Sequence, residues 1–278
     1  MTKAIQIAFN ENFEKRCEYA SLAGFTDIAV NFHDTKDTSK KAWAEASDKI
    51  LGIMEKYNLK CVQTHLPYYE LRISAEILDD EMEDKMENSI RVGAEIGAPW
   101  SVYHPRTAIN DGYIRPKNLE INQRVISKYL EWATKYGTGI ALENLPIFDG
   151  IVPIMPFYTS EYSDLCELAD SFKSKDVGIC WDTGHANLMD FDHAQAIKYI
   201  GDRIKCTHFH NNNKYCDSHD DVDVGNIEWT KVMEAFKEIG YTGAFTLETH
   251  CRYPDEELLK SFYQRNFVGL EYLERLMK

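Results

Sequence analysis

Paired thiols are missing from this chain. Its seven cysteines are Cys17, Cys61, Cys166, Cys180, Cys206, Cys216 and Cys251. The number is odd, and no two of them form a Cys-x-x-Cys pair. That argues against a disulfide framework and against a cysteine-based zinc site. Cys61, Cys180 and Cys206 lie in apolar, strand-like runs, where packing is the expected role. Long hydrophobic runs are also missing, and no stretch approaches the length of a membrane span. The first residues pass directly into polar Asn10-Glu11-Asn12, which is not the pattern of a secretory leader. The expected compartment is the cytoplasm.

Positive charge is in deficit. There are 31 Lys and Arg against 45 Asp and Glu, for a formal charge of −14. Such a surface disfavours non-specific nucleic-acid binding. No glycine-rich nucleotide fingerprint follows the first apolar run, because Asn10-Glu11-Asn12 stands there. No low-complexity linker divides the chain, so residues 1–278 are expected to form one domain. The proline-containing stretch 145–157 reads as a loop over an active-site mouth rather than a boundary.

What is present is a repeat of strand and amphipathic helix. Apolar runs at 4–9, 27–31, 60–64, 100–103, 139–142, 177–181, 204–209 and 244–247 predict eight strands. Segments 13–22, 39–57, 79–96, 117–136, 161–172, 229–239 and 256–277 predict helices. Strands alternating with helices imply parallel βαβ units. Eight of them in 278 residues fit a closed (β/α)8 barrel better than an open sheet.

The strand exits carry the chemistry. In order they read Gln63-Thr64-His65, Val102-Tyr103-His104, Ala141-Leu142-Glu143-Asn144, Cys180-Trp181-Asp182-Thr183-Gly184-His185, Thr207-His208-Phe209-His210 and Thr246-Leu247-Glu248-Thr249-His250. A single histidine at a strand exit is usually an ordinary polar residue. Six consecutive exits with a metal-ligand side chain are a different matter, because a barrel brings them to one mouth. Several carboxylates gathered there would repel one another without a cation. Imidazole with carboxylate suits zinc, manganese, iron or cobalt.

With these segments, the chain resembles the xylose-isomerase-like barrel superfamily, in the branch that holds sugar-phosphate isomerases/epimerases and endonuclease IV. The resemblance rests on His65-Leu66-Pro67-Tyr68, His104-Pro105, Glu143-Asn144, Asp182-Thr183-Gly184-His185, His208-Phe209-His210-Asn211, Asp217-Ser218-His219 and Leu247-Glu248-Thr249. It implies a (β/α)8 fold and a divalent metal held by Glu143, Asp182, His208 and Glu248. Endonuclease IV-like members hold three zinc ions, and their further ligands match His65, His104, His185, Asp217 and His219. One to three ions are therefore expected, zinc first, with manganese, cobalt or iron(II) as alternatives. His208 and His210 both suit the ligand position on strand 7. The spacing His-x-x-Asn favours His208 and leaves His210 to the substrate.

The resemblance implies an isomerase or epimerase of a sugar or sugar phosphate. Glu143 and Glu248 would transfer a proton through a metal-stabilised enediolate. The alternative it leaves open is a zinc-dependent phosphodiesterase with a multinuclear site. Loops 10–13 and 33–38 are short and partly acidic, without counterparts of the DNA-inserting loops of endonuclease IV, which disfavours a nucleic-acid substrate. Asp223-Val224-Gly225-Asn226-Ile227 replaces the Gly-Glu-Gly often found before helix 7. Tyr68, Lys214 and Arg252 are expected at the substrate, with Arg72, Arg106, Arg115, Trp181 and Phe148 as weaker candidates. The expected partner is a small sugar-like molecule, with no membrane. The helix faces are compatible with a monomer or a homodimer.

Overall fold

The computed structural model describes residues 1–68, 79–108, 114–146, 157–251 and 255–278. Eight parallel strands make one sheet in the order β7-β6-β5-β4-β3-β2-β1-β8. They are β1 (Thr2–Ala8), β2 (Asp27–Asn31), β3 (Lys60–His65), β4 (Trp100–Tyr103), β5 (Gly139–Glu143), β6 (Val177–Asp182), β7 (Ile204–His208) and β8 (Ala244–Leu247). The sheet closes between β7 and β8 through the Phe209–Leu247 bridge. Phe209 N donates to Thr246 O at 2.7 Å, and Glu248 N donates to Phe209 O at 3.1 Å. The (β/α)8 barrel expected from the alternating pattern is therefore the fold. No helix among the described residues is long and apolar enough to cross a membrane.

The helices form the outer ring: α1 (Phe13–Ala23), α2 (Lys40–Lys56), α3 (Asp80–Glu95), α4 (Arg115–Tyr136), α5 (Tyr162–Ser171), α6 (Thr183–Leu188), α7 (His193–Ile200), α8 (Trp229–Glu238) and α9 (Glu256–Leu276). In α2 the buried residues Trp43, Ala46, Ile50, Ile53 and Met54 recur every three or four positions, which lays one face on the sheet. Its start is set by Ser39, whose side chain accepts from Ala42 N. Asp79, Asp192 and Asp255 cap α3, α7 and α9 in the same way. The sequence reading lacked α6 and α7. Helices of six and eight residues are too short to show a periodic stripe.

Alternation along the strands creates two layers inside the barrel. Leu142, Trp181 and Phe209 face outward into the main core under the helices. Val102, Ala141, Cys180 and Cys206 form a separate small cluster within the barrel. Each stands two residues before His104, Glu143, Asp182 or His208. The ligand-type residues therefore form a layer at the C-terminal mouth, above a floor that is apolar on the β4–β7 side.

The turn after β4 is pinned from α4. Asn122 accepts from Arg106 N at 2.7 Å and donates to Arg106 O at 2.8 Å. The Arg106 guanidinium is buried, donating to Tyr103 OH at 3.1 Å, Glu83 Oε1 at 3.1 Å and Tyr129 OH at 2.8 Å. Arg106 is thus a structural group under the mouth, not a phosphate-facing one. Arg115 also points away, pairing with Asp164 and Glu167 on α5. Removing the Asn122 amide takes both partners from the Arg106 backbone. Asn122→Ala is expected to cost about 2 kcal/mol of stability. Urea denaturation should show a lower midpoint at unchanged slope.

Candidate metal centre

Residues predicted at the strand exits, with Asp217 and His219 from the loop after β7, come together at the mouth in overlapping groups, of which three matter first. His65, His104 and Glu143 form one. Glu143, Asp182, His208 and Glu248 form the second. His185, His210, Asp217 and His219 form the third. Within each group the offered nitrogen and oxygen atoms lie within 4.8 Å of one another. Glu143 belongs to the first two. Its Oε2 faces His104 Nε2 at 3.1 Å and His65 Nε2 at 3.4 Å, and its Oε1 faces His208 Nδ1 at 3.2 Å and His185 Nδ1 at 3.3 Å.

Backbone carbonyls set the imidazole tautomers. His65 Nδ1 lies 2.7 Å from Leu66 O, His185 Nδ1 2.8 Å from Asn144 O, and His219 Nδ1 2.7 Å from Glu248 O. A carbonyl can only accept, so each Nδ1 carries the proton and each neutral ring offers a bare Nε2. Those Nε2 atoms point into the groups. His65 Nε2 meets His104 Nε2 at 3.2 Å. His185 and His219 Nε2 approach the same Asp217 oxygen at 3.2 and 3.1 Å. Bare nitrogens turned toward one another and toward carboxylates need a proton or a cation between them. A ligating imidazole held by its other nitrogen on a carbonyl is the usual arrangement around a metal. The donor set thus fits divalent cations.

Local sequence explains this precision. Asp182 ends β6 and caps α6, accepting from His185 N at 2.6 Å. Asn144 stitches the exits of β5 and β6 together, donating to Asp182 O at 2.9 Å and accepting from Asp182 N at 2.7 Å. Thr183 Oγ1 donates to His210 O at 2.9 Å. Gly184 is required by close approach, since a Cβ there would come 1.8 Å from His210 Cε1.

Electrostatics report the same crowding. Burial works to raise the Glu143 pKa, but His208 and His104 hold it well below the usual value. Burial likewise opposes ionisation of Glu248 and Asp217, and neighbouring imidazoles hold both well below the usual value. Burial would lower His219, yet Asp217 lifts it to about 9. The same contest, won by Asp182 and Asp217, raises His185 well above the usual value. The raised His185, His208 and His219 favour protons that offset the carboxylates, whereas burial lowers His104.

A pocket of about 620 Å³ opens over the centre, lined by Asn31, His33, Asp34, Tyr68, Leu145, Pro146, Phe157 and His250 together with ligand-type side chains. No Lys or Arg lines it among the described residues. Tyr68 is there, as expected, but both faces of its ring are covered. His33 stacks on one at 3.7 Å and His104 on the other at 4.9 Å. Only its edge and hydroxyl can meet a ligand. His33 and His250 were not foreseen in the pocket, since each reads as a loop polar residue. His208 joins the second group, and His210 is fully buried on Asp182 at 3.1 Å. Lys214 pairs with Asp190 and lines a different cavity of about 440 Å³ beside α7. Trp181 is fully buried on the outer side of β6. Arg72, Phe148 and Arg252 lie outside the described residues.

An eight-stranded barrel with a carboxylate and imidazole centre at its C-terminal mouth defines a class of barrel enzymes. Residues 17–262 match the sequence model of the family described as Xylose isomerase-like TIM barrel, and the chain belongs to that family. It is 28% identical over 226 residues to an uncharacterized protein, MJ1311, of Methanocaldococcus jannaschii, covering 77% of this chain and 74% of that one. Among solved structures, a D-tagatose 3-epimerase-like protein superposes with a TM-score of 0.75 at 23% identity, covering 99% of each chain. D-psicose 3-epimerase from Clostridium cellulolyticum H10, crystallised with D-tagatose, superposes with a TM-score of 0.75 at 13% identity over 100% of each chain.

Proposed function

We propose that the protein is a metal-dependent isomerase or epimerase of a small sugar-like substrate. The observation that carries this reading is the group Glu143, Asp182, His208 and Glu248. It is buried, places two glutamates from β5 and the β8 exit around one point, and opens on a monosaccharide-scale pocket that no Lys or Arg lines among the described residues. The similarity to sugar 3-epimerases supports the same class. A divalent cation in this group, zinc, manganese, cobalt or iron(II), would supply stabilisation of negative charge developing on adjacent substrate oxygens. Glu143 or Glu248 takes the proton from carbon, and the other returns one.

Gln6 orients one of these glutamates. Its Nε2 donates to Glu248 Oε1 at 2.6 Å, leaving Oε2 toward His208 Nδ1 at 2.9 Å. Gln6→Leu is expected to weaken cation binding about 10-fold. Competition with a chromophoric chelator measures this, and unchanged affinity would remove Gln6 from the centre.

The test of the function is incubation of the metal-loaded protein with ketohexoses in deuterated water. Epimerised product carrying deuterium at the inverted carbon is the expected result. A second reading is favoured by the third group and by the shared Glu143. Two or three bridged zinc ions there would suit phosphodiester hydrolysis. Cleavage of an abasic-site duplex, with no exchange into any sugar, would establish that reading and overturn the first.

A further inference from the structure

The floor under the metal centre holds a donor that the reading above does not use. Cys180 stands two residues before Asp182 on β6, so its side chain enters the barrel one layer below. It is fully buried. Register pairs it with Glu143 on one side and Cys206 on the other. Its sulfur, a Glu143 oxygen and a His208 nitrogen all lie within 4.8 Å of one another. His208 is itself fully buried, and its Nε2 has no hydrogen-bond partner. The remaining floor is Val102, Ala141 and the thiol of Cys206.

We propose that Cys180, His208 and Glu143 form a second, sulfur-containing cation site for soft metals such as cadmium(II) or copper(I). Thiolate prefers soft cations, whereas the carboxylate-rich group above suits harder ones. Binding breaks the Cys180 S–H bond and forms a sulfur–metal bond. The proton leaves to buffer, and nothing is oxidised or reduced. His208 and Glu143 belong to both sets, so a soft ion on the floor competes for two of the four ligands of the upper group. The structure thereby carries a built-in route to inhibition by thiophilic metals. This goes beyond the proposed reaction and does not depend on the substrate.

The test uses the full chain with Cys216→Ser and Cys251→Ser, which removes the two cysteines that are not buried. The metal-free protein is titrated with cadmium chloride and followed by ultraviolet thiolate-to-cadmium charge transfer. The expected result is a band saturating at about one equivalent, lost when Cys180→Ser is added. Cobalt(II) uptake by the upper group should be blocked by prior cadmium in the parent and not in the Cys180→Ser protein. Cys180→Ala, checked for folding by circular dichroism, should repeat the loss. A band that is absent from the parent, survives Cys180→Ser, or is lost instead with Cys206→Ser overturns the proposal. Failure of every protein to take up cobalt counts against the upper metal group alone, and the cadmium band still decides the thiolate site.

Discussion

Stripping divalent cations is expected to lower the melting temperature by about 10 °C, and adding zinc to restore it. The magnitude follows from linkage. A cation at about 1,000 times its dissociation constant adds roughly 4 kcal/mol to the folded state. For a domain of this size each kcal/mol moves the midpoint by about 2–4 °C. The origin is the buried charge. Glu143, Asp182 and His208 are fully buried, and Glu248 nearly so. The metal-free protein can balance these carboxylates only with imidazolium protons. The size of the gap depends on pH, and the sign is fixed. His219 is raised to about 9 from an ordinary 6.5. Its contribution to the metal-free fold is complete below 6.5 and disappears as pH rises through about 9. Cation binding runs the other way, because it needs the imidazoles unprotonated. The difference between zinc-loaded and metal-free midpoints should therefore widen from pH 6.5 to 9. Differential scanning fluorimetry with and without chelator measures it. Coincident midpoints at all pH values would take the metal out of the reading.

The barrel was legible because its signal is regional. Eight apolar runs at regular spacing survive errors of a residue or two at each end. The residues gathered at the mouth were legible for a related reason. A polar residue such as Glu143 or Asp182 ending an all-apolar strand stands out in sequence, and the closed barrel supplies the convergence. Which Glu143 oxygen faces which ring was not legible, because side-chain orientation leaves no mark in the sequence. The two strand-7 histidines show the same limit. Spacing favoured His208 but could not send His210 to a different group, since that choice is made by Gly184 clearing room for its ring. Gln6 left no signal either. A glutamine on the first strand gains its role only from β8 closing beside it. Arg106 misled for the opposite reason, because loop position suggests exposure while Glu83, Tyr103 and Tyr129 bury it.

Glu143→Gln should reduce turnover on the sugar substrate by about 10³-fold or more, and should also strip metal from the protein. Each Glu143 oxygen faces two imidazole nitrogens. An amide in its place turns an NH2 toward one of those pairs and removes the negative charge common to two groups. Glu248→Gln separates binding from proton transfer. Asp182, His208 and Glu143 remain, so one cation should still load, while turnover falls by about 10²- to 10⁴-fold. Metal analysis beside kcat distinguishes the two variants. Loss of metal in the first and retention in the second is the expected pair. Full turnover in both, with metal bound, would remove the glutamates from proton transfer. The base would then have to be sought among the other groups at the mouth, Asp182 and Asp217 first.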